Sequence, residues 1–316
     1  MRCVITDYMG DDASLEASLL QRVGIEVVVA PIPDPEAWVD EAEGAEAILT
    51  RHAPIRAATI QRLRRCRVIA RYGTGHDNID LAAARARGIV VTNVPDYCWH
   101  EVAEHTMTLL LMAVRHIDAL RRPVREGGWI PQPLPPLRRL RGRRMGLIGY
   151  GRIGGRVAEL AQAFGLVVRV YDPYLPEPPP GITLEATLED LLRGADIVSL
   201  HVPLTPETYR ILDDERLALL PEGAIVINTA RGGLLDLDAA LGRLRSGRLA
   251  GVAIDVAERE PLPSDHPARN LDGLIVTPHV GYFSTTSVEE AKRRSTAEVI
   301  RVLNGAAPIH PVGEPA

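Results

Sequence analysis

The glycine-rich stretch at residues 145–154 constrains the fold of this chain more than any other feature. It reads MGLIGYGRIG, with Gly149, Gly151 and Gly154 at the spacing G-x-G-x-x-G after four mostly apolar residues. The apolar residues predict a short buried strand, and residues 156–164 have the periodicity of a helix. A strand, a glycine turn and a helix in this order predict a dinucleotide-binding unit, whereas a chance cluster of glycines would need no such flanks.

Each glycine has a physical role in such a unit. Gly149 allows the tight turn, Gly151 lets the backbone approach a pyrophosphate, and Gly154 lets the helix pack closely on the strand. The helix N-terminus offers N–H groups to the phosphates. A second predicted strand at residues 167–171 leads to Asp172, where an acid can bond the ribose hydroxyls and repel a 2′-phosphate. We therefore expect NAD as the cofactor rather than NADP.

Length and composition favour a two-domain protein of the cytoplasm. The chain has 316 residues, of which 46% are hydrophobic, and this is enough for two ordinary domains. Its net charge of −5 argues against a nucleic-acid partner. Three widely separated cysteines suggest neither a disulfide framework nor a zinc site. We expect no signal peptide, no membrane span and no metal.

Strand and helix signals alternate ahead of the glycine-rich stretch. Strands are predicted at residues 4–7, 25–30, 47–50, 68–70 and 90–92, and helices at 14–21 and 36–42. Prolines at positions 31, 33 and 35 are expected to interrupt the chain before the second helix. This alternation predicts a parallel sheet with helices on both faces, and so a complete α/β domain before the nucleotide unit.

A second alternation follows. Strands are predicted at residues 196–201, 225–228, 251–255 and 274–277, and helices at 188–192, 214–220, 237–246 and 287–303. A long helix predicted at residues 100–120 leads into a connector rich in proline and arginine at 121–144. The connector lacks periodicity and is predicted to be a polar surface excursion. Its arginines fit a solvated loop or a subunit contact better than a nucleic-acid patch, given the acidic total.

The sequence RYGTGHDNID at residues 71–80 places a second glycine pair directly after a predicted strand. Gly73 and Gly75 can turn successive backbone N–H groups toward an anion. A tight turn capped by Asp77 or Asn78 explains the same residues, and the two interpretations remain equally open.

Three polar residues follow predicted strands of the second domain, at the edge where open α/β sheets bind ligands. They are Arg231, Glu260 and His279. Oxidising a 2-hydroxy acid needs a cation for the carboxylate and a base for the hydroxyl proton, and arginine and histidine suit these tasks. A carboxylate beside the histidine would raise its pKa and orient it. Each residue also has an ordinary explanation as a turn, loop or solvated side chain, such as Arg231 capping a turn with Asp236.

These motifs resemble those of the D-2-hydroxyacid dehydrogenases, including members similar to C-terminal-binding protein and to phosphoglycerate dehydrogenase. The resemblance rests on GTGHDNID, NVP, GYGRIG, HVPLTPET, NTARGGLLD, DVAEREPLP and TPHVG in this order, and it covers nearly the whole chain. It implies a flavodoxin-like substrate domain of residues 1–98 and 285–316, with an NAD-binding Rossmann domain of residues 99–284 inserted into it. It also implies a homodimer.

The resemblance assigns roles by position. It implies that Arg231, Glu260 and His279 are the catalytic residues. The cofactor contacts that it implies are Gly149, Gly151, Arg152, Ile153, Gly154, Asp172, Pro203, Thr208, Thr229, Ala230, Arg231, Asp255, His279 and Gly281. The substrate contacts are Tyr72, Gly73, Thr74, Gly75, Tyr97, Arg231 and His279.

Two positions narrow the expected function. Tyr282 stands where relatives resembling C-terminal-binding protein carry tryptophan, so their substrate preference does not transfer. Glu260 stands where formate dehydrogenases of the family carry glutamine. The expected activity is interconversion of a D-2-hydroxy acid and its 2-keto acid with NAD, working as a keto acid reductase. The alternative is an NADH-sensing binding protein similar to the C-terminal-binding co-repressors. Neither the substrate nor the physiological direction follows from the motifs.

Overall fold

The computed structural model of the protein describes residues 1–30, 37–129 and 137–313. Its contacts divide the chain into two compact units, of which unit 1 contains Met1–Cys98 and Phe283–Ala316 and unit 2 contains Trp99–Tyr282. The chain therefore forms the first part of unit 1, then the whole of unit 2, and then the remainder of unit 1. The predicted proline interruption at 31–35 and the middle of the predicted connector lie outside the described residues.

Unit 1 is built on a parallel sheet of five strands. Its elements before residue 98 are β1 (Arg2–Ile5), α1 (Ser14–Gln21), β2 (Glu26–Val29), α2 (Ala37–Ala42), β3 (Ala47–Thr50), α3 (Ala57–Arg62), β4 (Val68–Arg71), α4 (Leu81–Ala86) and β5 (Val90–Thr92). The strand order is β2-β1-β3-β4-β5, and every pairing is parallel. This is the flavodoxin-like order of a doubly wound sheet.

Unit 2 is built on a parallel sheet of seven strands. Its elements are α5 (Trp99–Arg115), α6 (Ile117–Arg125), β6 (Arg144–Ile148), α7 (Arg152–Ala163), β7 (Val167–Tyr171), β8 (Thr183–Leu184), α8 (Leu188–Gly194), β9 (Ile197–Leu200), α9 (Asp214–Ala218), β10 (Ala224–Asn228), a 3₁₀ turn (Gly232–Leu234), α10 (Leu237–Arg245), β11 (Leu249–Ile254), a 3₁₀ turn (Pro267–Asn270) and β12 (Leu274–Val276). The order is β12-β11-β10-β9-β6-β7-β8. It reverses between β6 and β9, which is the switch point where Rossmann sheets bind dinucleotides.

The last helix of the chain, α11 (Thr285–Leu303), belongs to unit 1. It begins at a capping box in which Ser284 and Ser287 exchange side-chain and backbone hydrogen bonds. It packs on α1, β3 and β4, and the C-terminal residues that follow it reach β5 through a bridge between Thr92 and Pro311.

Burial on both faces explains why the central strand β10 is an apolar run from Ala224 to Ile227. Val226 of β10 packs in a cluster with α8, α9 and α10, while Ile225 and Ile227 pack with α5 and α7 on the opposite face. A parallel strand covered on both faces has no polar side to alternate with. These observations confirm the predicted α/β class with parallel sheets.

The structure corrects the predicted helix at residues 100–120. α5 ends at Arg115 and α6 begins at Ile117, because His116 adopts a left-handed conformation with φ 47°. The start of the predicted connector was also wrong, since Arg121 to Arg125 belong to α6. The short edge strand β8 was not predicted, because two residues are too few to show a period.

Candidate active site

The side chains of His279 and Glu260 form a hydrogen-bonded pair just past two neighbouring strands. Glu260 follows β11 and His279 follows β12, which are adjacent in the sheet. His279 Nδ1 lies 2.7 Å from Glu260 Oε2. An ionised carboxylate only accepts hydrogen bonds, so Nδ1 is the donor. The His279 and Glu260 side chains are 34% and 37% exposed, so a small molecule can reach the pair.

Backbone contacts hold both members of the pair in place. The backbone N–H of Ala257 donates to Glu260 Oε1 at 2.9 Å. His279 has φ 54°, a left-handed conformation that is uncommon for a residue other than glycine. Its N–H donates to the carbonyl oxygens of Asp255 at 2.7 Å and Thr277 at 3.0 Å. A strained residue held this firmly is typical of a functional site.

The carboxylate of Asp255 anchors the segment that carries the histidine. Asp255 Oδ1 accepts from the backbone of Val280 at 3.0 Å and from the Thr277 hydroxyl at 2.5 Å, and Oδ2 accepts from Gly281 N–H at 2.7 Å. His105 Nε2 lies 3.4 Å from Asp255 Oδ1. Burial alone would raise the pKa of Asp255, but these hydrogen bonds, led by the one from His105, outweigh burial and lower it. Asp255 therefore stays ionised.

His105 is a member of this network that the sequence did not reveal. It lies on α5, and its Nε2 is also 2.9 Å from Thr277 Oγ1. A histidine within an apolar helix pattern gives no local sign of a partner found 172 residues further along the chain.

Arg231 follows β10, the next strand in the sheet after β11. The side chain of Asn228 spans the turn, since its Nδ2 donates to Arg231 O at 2.8 Å and its Oδ1 accepts from Ala230 N–H at 3.0 Å. Arg231 Nη1 donates to Ala230 O at 2.8 Å. The three predicted catalytic residues thus follow three consecutive neighbours of one sheet, β10, β11 and β12.

Gly232 allows two loops, the Arg231 turn and the loop that carries Glu260, to pack closely together. A Cβ built at Gly232 would lie 2.0 Å from the carbonyl carbon of Ala257 and 2.2 Å from the nitrogen of Glu258. No side chain fits there, so the Arg231 turn and the loop that carries Glu260 pack backbone to backbone. The glycine pair in the ARGG sequence is the signal for this close approach, which the sequence analysis did not predict.

The glycine turn after β6 has the predicted geometry. Gly149 has φ 96°, and a Cβ there would lie 2.8 Å from His201 O. A Cβ at Gly154 would lie 2.3 Å from Gly149 O, so this glycine permits the close contact of helix and strand. Gly151 is the N-cap of α7, and a Cβ there would meet nothing within 4 Å. The open side of the turn is where the backbone can approach a phosphate.

The predicted ribose residue, Asp172, directly follows β7. Its Oδ2 accepts from Tyr150 N–H at 2.8 Å and its Oδ1 accepts from Tyr174 N–H at 2.9 Å. Asp172 thereby joins the end of β7 to the glycine turn. Arg152 is exposed as the first residue of α7, and the half-buried Ile153 packs against the core.

The remaining predicted cofactor residues lie in loops after β9 and β10. Thr208 Oγ1 donates to Pro203 O at 2.6 Å, which closes the loop that contains both. Thr229 is buried, and its hydroxyl lies 2.8 Å from that of Thr106 on α5. These contacts give both threonines structural roles within unit 2.

The turn after β4 in unit 1 lies between Arg71 and Tyr97. Gly73 has φ 90°, and a Cβ there would lie 2.5 Å from Arg71 Nη1 and 2.9 Å from Tyr97 Oη. Gly73 O accepts from Val94 N–H at 3.1 Å. The half-buried Gly75 and the exposed Thr74 follow.

The structure corrects two predictions about this turn. Tyr72 was predicted as a substrate contact, but its side chain is 1% exposed and its hydroxyl donates to Glu16 Oε1 at 2.9 Å. Only its backbone lies with the turn. The helix that follows is capped by Asp80, which accepts from Ala83 N–H, and not by Asp77 or Asn78. The amide of Asn78 instead donates to Ala53 O at 2.9 Å.

Among the described residues, no helix is long and apolar enough to cross a membrane. Within the same part of the chain, no group of three or more histidine, cysteine, aspartate or glutamate residues is arranged to hold a metal ion.

Residues 107–281 match the family model described as "D-isomer specific 2-hydroxyacid dehydrogenase, NAD binding domain". This match confirms NAD as the predicted cofactor and locates its binding domain within unit 2.

Two relatives and one solved structure extend the similarity beyond that domain. The chain is 38% identical over 310 residues to D-3-phosphoglycerate dehydrogenase of Methanocaldococcus jannaschii, covering 96% of this chain but 58% of the relative. It is 35% identical to hydroxypyruvate reductase of Thermotoga maritima, covering 94% of this chain and 96% of the relative. The TT0316 protein of Thermus thermophilus superposes with a TM-score of 0.91 at 38% identity, covering 99% of this chain and 100% of that one.

Proposed function

This chain belongs to the D-isomer-specific 2-hydroxyacid dehydrogenase family, and on that premise we propose that it reduces a 2-keto acid to the D-2-hydroxy acid with NADH. The membership confirms the resemblance predicted from the motifs. The main observation behind the proposed chemistry is the 2.7 Å contact between His279 Nδ1 and Glu260 Oε2. Arg231 belongs to the same sheet edge, because the strand that precedes it neighbours the strand that precedes Glu260.

His279 is the proposed proton donor. The reduced nicotinamide, when bound, supplies hydride to the keto carbon. As the carbon–oxygen double bond becomes single, the protonated His279 gives its Nε2 proton to the oxygen, and neutral imidazole remains. Glu260 holds the ring through Nδ1, and its negative charge stabilises the protonated form. In the reverse direction, neutral His279 takes the hydroxyl proton.

Arg231 is the proposed partner of the substrate carboxylate. A guanidinium can bind a carboxylate through two parallel hydrogen bonds, which fixes the keto carbon as well as the charge. On the family resemblance, we assign a further share of substrate binding to the turn at Gly73, Thr74 and Gly75 and to Tyr97. Unit 1 is then the substrate-binding domain.

The cofactor is assigned to the C-terminal edge of the unit 2 sheet. The glycine turn and the N-terminus of α7 suit the pyrophosphate. The carboxylate of Asp172 suits the ribose hydroxyls and disfavours a 2′-phosphate, which supports NAD over NADP. The loops at Pro203, Thr208, Thr229 and Ala230 complete the proposed cofactor contacts, with Asp255 and Gly281 beside them. We also propose a homodimer that works in the cytoplasm.

A panel of keto acids tests the proposal. Glyoxylate, hydroxypyruvate, pyruvate and phenylpyruvate are each supplied with NADH or NADPH, and the loss of nicotinamide absorbance is followed. We expect turnover of at least one acid, a preference for NADH, and a product of D configuration by chiral chromatography. NADH binding without turnover of any acid would instead favour an NADH-sensing binding protein.

A further inference from the structure

Lys292 is the only lysine among the 36 lysine and arginine residues of the chain. It lies on α11 and its side chain is 9% exposed. Its Nζ donates to Asp12 O at 2.6 Å and lies 3.2 Å from Glu16 Oε2. Lysine and arginine differ in shape, because an ammonium is a compact charge at the end of a slender stem and a guanidinium is a broad plane. A buried site with two acceptors close together suits the ammonium.

Glu16 connects Lys292 to Tyr72, the residue that directly follows β4. It lies on α1 with 0% of its surface exposed, and its other oxygen, Oε1, accepts from the hydroxyl of Tyr72 at 2.9 Å. Three helices and strands of unit 1 that are distant in sequence, α11, α1 and β4, are therefore joined by Lys292, Glu16 and Tyr72. We refer to these three side chains as the buried triad.

Within the triad, the Glu16 carboxylate lies between a positively charged ammonium and a hydroxyl donor. Burial, together with the neighbouring Glu16 carboxylate, raises the pKa of Tyr72 well above its usual range. The tyrosine therefore stays protonated and acts as a donor to Glu16. A buried carboxylate with only one partner would be costly, so the ammonium and the hydroxyl stabilise it together.

Tyr72 is the residue directly before Gly73, so the triad ends where the turn begins. On the other side, Gly73 O accepts from Val94 N–H at 3.1 Å, and the amide of Asn93 donates to Thr74 O at 2.7 Å. The turn is thus fixed at its entry by a buried side chain and at its exit by the segment after β5. Backbone N–H groups that bind an anion need such fixed directions.

We propose that Lys292, Glu16 and Tyr72 are positioning residues that set the Gly73–Gly75 turn for the substrate carboxylate. The inference rests on the proposed function of that turn. None of the three side chains touches substrate in this proposal. They act through the backbone at Tyr72, so their loss should weaken keto acid binding without slowing the proton and hydride transfers assigned to unit 2.

Tyr72→Phe is the principal test, because it removes one hydroxyl and keeps the ring. We expect the KM for the preferred keto acid to rise about tenfold, with kcat at saturating acid and the Kd for NADH changed less than about twofold. Lys292→Met should act in the same direction. The double variant should raise KM little more than the larger single effect, because both substitutions interrupt one chain of contacts.

Arg67→Met is the matched control. Arg67 precedes β4 at the end of the strand far from the turn, and its guanidinium donates to Val302 O and Leu303 O of α11, each at 2.9 Å. It therefore joins the same strand and helix as the triad. We expect this variant to lower Tm without changing the KM for the keto acid.

Native-state hydrogen exchange gives a readout independent of turnover. The Val94 amide reports on the turn directly, because its acceptor is Gly73 O. We expect it to exchange at least about tenfold faster in Tyr72→Phe and Lys292→Met than in the wild type, and unchanged in Arg67→Met. Unchanged KM and unchanged Val94 exchange in both triad variants, even with a lower Tm, would overturn the inference. A wild-type protein that reduces no keto acid would contradict the proposed function instead, and the exchange data would still decide whether the triad sets the turn.

Discussion

Two glycine turns in this protein begin the same way and continue differently. Gly149 and Gly73 both follow a buried parallel strand, and their φ angles are 96° and 90°. After the first, α7 starts at Arg152 and runs for 12 residues. After the second, no helix begins until Leu81, where Asp80 caps α4.

This difference fits the different anions that we propose for the two turns. A helix N-terminus adds several N–H groups and a dipole, which suits a doubly charged pyrophosphate. A turn without a helix offers only its own backbone N–H groups, which suit a single carboxylate.

The two turns share one kind of support and differ in another. Gly149 N–H donates to Tyr171 O at 2.9 Å, so the first turn rests on the neighbouring strand. The second turn is likewise joined to its neighbouring strand, since Tyr72 N–H donates to Thr50 O at 2.9 Å, and the side chain of Tyr72 with its buried partners adds a further support. Glycine substitutions should therefore disturb both turns, whereas only the second should also respond to changes far away in the sequence.

The largest effect is expected from His279→Gln, which leaves both turns intact. Loss of the proton donor should lower kcat by about 10²–10⁴-fold, while the Kd for NADH measured by fluorescence changes little. His116→Gln is the matched control, since His116 also has a positive φ, of 47°, in unit 2. Retained turnover in His279→Gln would remove this residue from the chemistry.

Two alanine substitutions in the first turn should have different outcomes. At Gly154 a Cβ would lie 2.3 Å from Gly149 O, so Gly154→Ala should destabilise unit 2 by about 1–3 kcal/mol and weaken NADH binding. At Gly151 a Cβ would meet open space, so Gly151→Ala should leave Tm nearly unchanged and weaken NADH binding alone. Thermal unfolding and NADH titration check both. Equal NADH affinity in wild type and Gly151→Ala would argue against a pyrophosphate at this turn.

Gly73→Ala is the corresponding test of the second turn. A φ of 90° is unfavourable for alanine, so the turn is strained, and the side-chain ends of Arg71 and Tyr97 would have to move away from the added Cβ. We expect the KM for the keto acid to rise about tenfold and the Kd for NADH to stay constant. Steady-state kinetics with each substrate varied in turn gives both values. A change in NADH affinity alone would assign this turn to the cofactor.

The first turn could be predicted from sequence because its requirements are local. Gly149, Gly151 and Gly154 lie within six residues, and a strand and a helix flank them. The three strand-end residues could be predicted for a related reason, since the carboxyl ends of parallel strands share one edge.

The contacts that sequence analysis missed are long-range or conformational. The family resemblance implied that Tyr72 contacts the substrate, yet its hydroxyl is bonded to a residue 56 positions away. His105 has its partner 172 positions away. His116 interrupts a regular apolar pattern by a left-handed backbone, which a histidine does not signal.

Acid should lower the free energy of unfolding through His201, a residue beside the first turn. The His201 carbonyl lies against Gly149, and its Nε2 is 2.9 Å from Ser199 Oγ. Burial lowers the pKa of His201 from 6.5 to about 3. Below pH 6.5 the unfolded chain takes up a proton at this residue and the folded chain does not, so stability is lost as pH falls toward 3.

The contribution of His201 to the loss between pH 7 and pH 5 should be at most about 2 kcal/mol, because the unfolded chain takes up one proton at this residue and the folded chain does not. Urea unfolding at both pH values, with wild type and His201→Gln, measures it. The variant should be less stable at pH 7, where it lacks the native ring packing, but its stability should fall less on going to pH 5. Equal slopes in wild type and His201→Gln would mean that the His201 ring takes up its proton in the folded protein as readily as in the unfolded chain.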